Sequence, residues 1–218
     1  MKLKAQAIIF DLDGTIVDSK EAYLEAARVA FQTLNLRMPE IWTVLEIPKR
    51  LEQKLPIDDI VNGNVATFLD AYLKTYYAIT REKTKPIPNV QIALSKLAEK
   101  AKLAITTMRF APKSQIVSDL EQFSLAQYFS CIITALDTNS PKPSPEALIK
   151  AVRALNVNLC ECIVVGDSIV DVRAGKAAGA KTVSVLSGLF SHRDLILEEP
   201  DIIIDDVTRL PEQVDFAD

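Results

Sequence analysis

The sequence contains little cysteine, little histidine and no long apolar run, and each shortage excludes a class of protein. Its 218 residues include three cysteines and one histidine, too few for a disulfide framework or an easily assembled four-ligand zinc site. No apolar run reaches the roughly 18 residues that a membrane-spanning helix needs. The N-terminal apolar run ends at Asp11, before it has the length of a signal peptide. We therefore predict a cytoplasmic protein without a membrane partner.

Basic residues are not clustered along the chain. There are 25 Lys and Arg against 29 Asp and Glu, a net charge of −4, whereas binding to a phosphate backbone needs clustered positive charge. We therefore predict no nucleic-acid partner. The apolar fraction of 49% is enough for a sizeable buried core, and the length fits one medium domain or a core with an insert.

Short apolar segments alternate with amphipathic segments after residue 88. This alternation predicts an α/β fold, in which helices cover both faces of a parallel sheet. With the run that begins at Ala7, the predicted strands are Leu103–Thr106, Cys131–Thr134, Cys162–Val165, Thr182–Val185 and Ile202–Ile204. The predicted helices lie near 89–100, 112–123, 145–155 and 171–179. Ligands of such sheets bind beyond the carboxyl ends of the strands, where we expect the functional residues.

Residues 18–85 interrupt this alternation. Asp18 and Glu21 have the spacing of a capping box, and two helical stretches follow without a clear buried strand between them. We predict a small helical domain over residues 18–85, inserted into a core formed by residues 1–17 and 86–218. Because the insert follows the first strand-end loop, we expect it to lie over the active crevice.

The segment FDLDGT, residues 10–15, is the most informative stretch of the chain. It places Asp11 and Asp13 two residues apart, where side chains of an extended segment return to the same face. Two carboxylates in one crevice are costly unless a cation lies between them or one is protonated. A helix cap or a turn is the simpler interpretation of these residues.

Two further strand ends carry groups that suit an anion. Thr107, Met108 and Arg109 follow one predicted strand, although threonine is equally explained there by its preference for strands. Lys142 lies between two prolines in SPKPSP, which exclude it from a helix and hold it ahead of a predicted helix N-terminus. An immobilised lysine is a better candidate for contacting an anion than a solvated one.

A fourth strand end, GDSIVD, is again acidic. It places Asp167 beside a glycine, Ser168 next to it and Asp171 one helical turn later. An acidic helix cap is common, but it does not explain why acidic residues collect at two strand ends of one sheet.

Taken in order, DxDGT, a strand-end threonine, a lysine before proline and GDxxxD resemble the four motifs of the haloacid dehalogenase-like (HAD) hydrolase superfamily across nearly the whole chain. The helical insert resembles its C1-type cap, and KPSPEAL and GDSIVDVRAGKAAGA resemble the phosphoglycolate phosphatase branch. The resemblance implies a Rossmann-like core and Mg²⁺-dependent hydrolysis of a small phosphorylated metabolite.

The resemblance also implies a role for each motif. Asp11 attacks phosphorus, and Asp13 protonates the leaving alcohol and then accepts a proton from water. Mg²⁺ is held by Asp11, the backbone carbonyl of Asp13 and Asp167. Thr107 and Lys142 hold phosphoryl oxygens.

The remaining implied roles concern support and specificity. Asp171 is expected to position Lys142 or metal-bound water. Ser168 is expected to support these residues without contacting the substrate. Met108 stands where related phosphatases commonly carry Asn, and Arg109 could bind a second anionic group of the substrate. We therefore expect a small substrate with one phosphate and a carboxylate or second anion.

Three alternatives remain open. A sugar-phosphate mutase of the β-phosphoglucomutase type shares this fold and nucleophile, but its last motif typically lacks the second acid, here Asp171. A haloacid dehalogenase needs no metal and is not expected to keep Asp13 and Asp167. A receiver-type phosphoaspartate switch carries similar acids, but it is shorter and has no cap.

Overall fold

The apolar segments form strands and the amphipathic segments form helices in the computed structural model, which describes residues 2–216. The strands are β1 (Leu3–Ala5), β2 (Ala7–Phe10), β3 (Val17–Asp18), β4 (Lys85–Pro86), β5 (Lys102–Thr106), β6 (Cys131–Ile133), β7 (Cys162–Gly166), β8 (Lys181–Val185), β9 (Ile202–Ile204) and β10 (Val214–Phe216). The helices are α1 (Lys20–Thr33), α2 (Ile41–Glu52), α3 (Val65–Lys83), α4 (Val90–Ala98), α5 (Lys113–Glu121), α6 (Glu146–Leu155), α7 (Ile169–Ala178), α8 (His192–Ile196) and α9 (Leu210–Gln213). The chain divides into two units, Met1–Val17 with Pro86–Asp218 and Asp18–Lys85.

A six-stranded parallel sheet forms the centre of the larger unit, with the strand order β6-β5-β2-β7-β8-β9. Strand β2 is buried on both faces, as is typical of parallel sheets. Ile8 and Phe10 pack on the side of α4 and α5, and Ala7 and Ile9 pack on the side of α6 and α7. A second, two-stranded parallel sheet pairs β1 with β10. The predicted α/β class is therefore confirmed.

The predicted elements of the core lie close to the observed ones. Each predicted strand agrees with an observed strand within one residue at either end, and each predicted helix agrees within two residues. The pattern succeeded because buried parallel strands and two-faced helices differ sharply in their spacing of apolar residues.

The strand order explains why the acidic strand ends can meet. The chain runs from β2 to β5 and β6 on one side and then returns to β7 on the other side of β2. The carboxyl ends of β2 and β7 therefore adjoin at the point where the strand order reverses, which is where such sheets bind ligands.

Three helices, α1, α2 and α3, make up the smaller unit. Its core includes Phe31 on α1 and Phe68 on α3, whose ring centroids lie 4.9 Å apart. The sequence pattern did not indicate α2, which contains Pro48, a residue that normally disfavours a helix interior. Among the described residues, no helix combines the length and the apolar character needed to cross a membrane.

The capping box predicted for Asp18 and Glu21 is not formed. Helix α1 begins at Lys20, whose backbone N–H donates to Asp18 Oδ1 at 3.0 Å. The Glu21 carboxylate does not turn back to the helix start, because it accepts hydrogen bonds from Lys83 at 2.9 Å and Lys85 at 3.2 Å.

Candidate active site

Lys142 joins three of the strand-end segments. Its ammonium group donates to Asp11 Oδ1 and to Asp171 Oδ1, each at 2.7 Å. Its third hydrogen bond, also 2.7 Å, goes to the backbone carbonyl of Thr106. An ammonium group has three donors, so these contacts fix both its position and its direction. Burial alone would lower the pKa of Lys142, but the two carboxylates outweigh it and raise the pKa, which keeps the side chain charged.

Ser168 and Asp171 lie at the start of α7, where Asp171 holds Lys142 and Ser168 holds Asp171. Ser168 is the N-cap residue, and its hydroxyl donates to Asp171 Oδ2 at 2.7 Å. The Ser168 backbone N–H donates to the same oxygen at 3.2 Å. Both Asp171 oxygens are thus engaged, one by Lys142 and one by Ser168. Gly166 is required beside them, because a Cβ at this position would overlap the Asp171 carboxyl group.

The Asp167 carboxylate is held by two loops of the larger unit. Its Oδ1 accepts from the Thr15 hydroxyl at 3.3 Å, and its Oδ2 accepts from the Leu189 backbone N–H at 3.4 Å. A Cβ on Gly14 or on Gly188 would overlap this carboxylate. The sequence pattern did not indicate Gly188 or Leu189, and a glycine soon after β8 was the one signal available.

Three carboxylates, of which two are buried and one is half-buried, come close enough to share a cation. Oxygens of Asp11, Asp167 and Asp171 lie within 4.8 Å of one another. Burial raises the pKa of Asp11 well above its ordinary value, and Lys142 only partly opposes this effect. Burial and the neighbouring charge of Asp171 raise the pKa of Asp167 to about 7. A hard cation that takes oxygen ligands would relieve this repulsion.

Replacing Asp167 by Asn is expected to stabilise the metal-free protein at high pH. Because the pKa of folded Asp167, about 7, exceeds its ordinary 3.8, the wild type loses free energy of unfolding as the pH rises between these values. Asn has no proton to lose. Urea unfolding in EDTA should show a gain of about 1–3 kcal/mol for the variant at pH 8 and a smaller gain at pH 5.

Asp70→Asn is the matched control for this measurement, because Asp70 is an exposed aspartate of α3. It should change the free energy of unfolding similarly at both pH values. A gain for Asp167→Asn that is equal at pH 5 and pH 8 would contradict the prediction.

Arg109 contacts Asp13 through two hydrogen bonds. Its Nε donates to Asp13 Oδ2 at 2.8 Å, and its terminal NH2 group donates to Asp13 Oδ1 at 2.6 Å. Its other terminal nitrogen donates to Asp119 Oδ2 at 3.2 Å. The arginine side chain is 4% exposed. Its contact with a substrate stays a prediction, since the structure places this guanidinium group on two carboxylates of the protein.

Thr107 and Met108 occupy the short segment between β5 and Arg109. The Thr107 hydroxyl oxygen accepts the backbone N–H of Arg109 at 3.1 Å, so the hydroxyl proton remains available for another acceptor. Thr107 is buried and Met108 is half-buried. The structure therefore brings Asp11, Lys142, Asp167, Ser168 and Asp171 into one connected cluster, and it groups Asp13, Thr107 and Arg109 in a second one.

Comparisons with known proteins agree with this fold. A family model described as haloacid dehalogenase-like hydrolase matches residues 8–185. The pyrophosphatase PpaX of Anoxybacillus flavithermus is 28% identical over 213 residues, which cover 95% of this chain and 96% of the relative. The phosphoglycolate phosphatase of Psychrobacter arcticus is 29% identical over 224 residues, 94% of either chain.

A solved structure shows the same fold at lower identity. It is a haloacid dehalogenase-like family hydrolase from Streptococcus pneumoniae, with a TM-score of 0.78 and 22% identity over 94% of this chain and 96% of that chain. Because the family model spans most of the sequence, the chain belongs to the haloacid dehalogenase-like hydrolase family. Within this family it is a phosphatase, and the resemblance predicted from the four motifs is confirmed.

Proposed function

We propose that the chain hydrolyses a small-molecule phosphomonoester in a Mg²⁺-dependent reaction, with a phosphoaspartate on Asp11 as the intermediate. The observation that carries this proposal is the contact of Lys142 with Asp11. One Asp11 oxygen accepts from the buried lysine, which fixes the carboxylate and leaves Oδ2 as the oxygen that attacks phosphorus.

The first step transfers the phosphoryl group to the protein. Asp11 Oδ2 forms a bond to phosphorus while the bond from phosphorus to the leaving oxygen breaks. Asp13 gives its proton to that leaving oxygen, and the alcohol departs. We expect the Thr107 hydroxyl to hold a phosphoryl oxygen during the transfer and the positive charge of Lys142 to stabilise the phosphoryl group.

The second step returns the enzyme to its starting state. A water molecule attacks phosphorus and gives a proton to the Asp13 carboxylate, while the bond between Asp11 and phosphorus breaks. Inorganic phosphate leaves, and Asp13 is again protonated. The same residue thus serves as acid in one step and as base in the next.

The acidic cluster fits Mg²⁺. Oxygens of three carboxylates lie within 4.8 Å of one another, and two of these carboxylates pair with Lys142. Mg²⁺ prefers such oxygen ligands. Asp11, the backbone carbonyl of Asp13 and Asp167 would hold the ion. When bound, the ion would neutralise charge between the anionic phosphate and the carboxylate nucleophile.

The substrate class rests on the relatives and on the helical unit. A phosphoglycolate phosphatase among the relatives supports a small phosphorylated metabolite, and we propose that residues 18–85 act as the cap that selects it. Pyrophosphate is a second candidate substrate, because another relative is a pyrophosphatase.

A screen of phosphorylated metabolites, with pyrophosphate included, tests this function. With Mg²⁺ present, the protein should release inorganic phosphate from at least one compound, and excess EDTA should lower the rate about 100-fold or more. Full activity in EDTA would contradict the proposal. Isomerised sugar phosphate as the product would favour the mutase, and long-lived stoichiometric phosphorylation would favour the switch.

A further inference from the structure

Asp13, Arg109 and Asp119 form a second ionic group that is largely removed from solvent. The Arg109 and Asp119 side chains are buried, with exposures of 4% and 8%, and the Asp13 side chain is 11% exposed. Asp13 follows β2 and Asp119 lies on α5, so Arg109 links a strand-end loop to a helix. Burying ions in this way costs desolvation energy and is weak evidence for stability. A role in the site is therefore the better explanation.

The two hydrogen bonds from Arg109 restrict both the position and the orientation of the Asp13 carboxylate. An arginine that binds both carboxylate oxygens fixes the plane of the carboxyl group, whereas a lysine would fix only a distance. Asp119 holds the remaining terminal nitrogen of Arg109, which keeps the guanidinium group from rotating. The orientation of Asp13 is thus determined by α5 as well as by its own loop.

We propose that Arg109, anchored by Asp119, is a positioning residue that holds the Asp13 carboxylate for proton transfer from water. This inference rests on the proposed function, in which Asp13 accepts that proton during hydrolysis of the phosphoaspartate. An arginine pairs with the ionised carboxylate, which is the form that accepts a proton. The contact should therefore matter most in the second step of the reaction.

A backbone hydrogen bond connects Arg109, which positions Asp13, to Thr107, the proposed phosphate-binding residue. Because the Thr107 hydroxyl oxygen accepts the Arg109 N–H, the orientation of the hydroxyl is set by the residue that positions Asp13. The short segment after β5 thereby orients both the Thr107 hydroxyl, which is proposed to bind phosphate, and the Asp13 carboxylate, which is proposed to accept the proton.

Rapid-quench kinetics with p-nitrophenyl phosphate and Mg²⁺ separate the two steps. Arg109→Lys should slow hydrolysis of the phosphoenzyme by about 10- to 100-fold, a part of the acid–base contribution of Asp13. The first step and KM should change by less than about threefold, because p-nitrophenolate leaves with little help from an acid. Phosphoenzyme should therefore accumulate, as measured by mass spectrometry of the quenched protein.

Asp119→Asn provides a second variant that leaves the contact with Asp13 in place. It should slow phosphoenzyme hydrolysis by about threefold to tenfold, since it loosens only the anchor of Arg109. It also keeps the proposal testable if Arg109→Lys fails to fold.

Arg173→Lys is the matched control, because Arg173 makes a similar two-bond contact with Glu198, at 2.9 and 2.7 Å, on the surface of the same unit. It should leave both steps unchanged.

A double-mutant cycle shows whether Arg109 acts through Asp13. In the Asp13→Asn background, Arg109→Lys should reduce phosphoenzyme hydrolysis by less than about twofold further, because interacting residues are not additive. Independent effects that multiply would overturn the proposal. So would a KM increase confined to substrates with a second anionic group, which would instead assign Arg109 to the substrate.

The wild-type protein distinguishes the two possible failures. If it forms no phosphoenzyme and releases no phosphate from any compound, the proposed function fails. If the wild type turns over and Asp13→Asn accumulates phosphoenzyme while Arg109→Lys and Asp119→Asn do not, only the positioning role is overturned.

Discussion

Asp11→Asn is expected to abolish phosphatase turnover, by about 10⁴-fold or more, without unfolding the protein. An amide oxygen is a poor nucleophile toward phosphorus, so the phosphoaspartate cannot form. The fold should persist because Asn keeps the shape of Asp11 and because Lys142 retains its bonds to Asp171 and the Thr106 carbonyl. Steady-state release of phosphate and thermal unfolding of the same preparation measure the two effects.

Asp70→Asn serves as the control for Asp11→Asn as well, because it makes the same chemical change at an exposed position. It should retain wild-type turnover and thermal stability. Substantial activity in the Asp11→Asn variant would exclude Asp11 as the nucleophile. Loss of the folded state would show that Asp11 is needed for the architecture, and the test would then be repeated with Asp11→Glu, which keeps the charge but moves the carboxylate.

Lys142→Met is expected to destabilise the protein by about 3–5 kcal/mol, the usual cost of leaving a buried charge without its partner. Oxygens of three carboxylates, two of them buried, lie within 4.8 Å of one another, and the substitution removes the ammonium group that contacts Asp11 and Asp171. Turnover should fall as well, since the positive charge beside the phosphoryl group is lost. Urea unfolding in EDTA at pH 8 gives the free energy of unfolding, and phosphate release gives the turnover.

Lys150→Met is the control for this change, because Lys150 pairs with Glu146 at 3.0 Å on the more exposed face of α6. A surface pair of this kind contributes about 0–1 kcal/mol. The double substitution Lys142→Met with Asp171→Asn should recover part of the lost stability but none of the turnover. Wild-type stability in Lys142→Met would show that the carboxylates do not depend on the lysine.

The strands and helices of the core could be predicted because each one is indicated by the spacing of apolar residues within its own segment. Each buried strand is a short apolar run, and each helix repeats apolar residues at intervals of three and four. Ligands of parallel sheets bind beyond the carboxyl ends of the strands. This rule predicted that Asp11, Thr107, Lys142 and Asp167 lie at one edge of the sheet. Their catalytic and metal-binding roles stay predictions until they are tested.

The individual contacts within the site could not be predicted in the same way. Arg109 and Asp13 are 96 residues apart in the sequence, and no periodicity encodes which strand-end groups pair. A single arginine could equally face a substrate or a carboxylate of the protein. Asp119 looked like an ordinary polar residue of a helix, and its contact with Arg109 depends on how α5 packs against the sheet.

The glycines beside the carboxylates limit how this enzyme can be engineered. Three of the six glycines in the chain, Gly14, Gly166 and Gly188, leave space that a carboxyl group of Asp167 or Asp171 fills. Even an alanine at these positions would displace an acid, so a mutant library that includes them would consist mostly of inactive members. Diversity is better placed at Met108, which is half-buried beside Thr107, where a change of side chain leaves the arrangement of the acids intact.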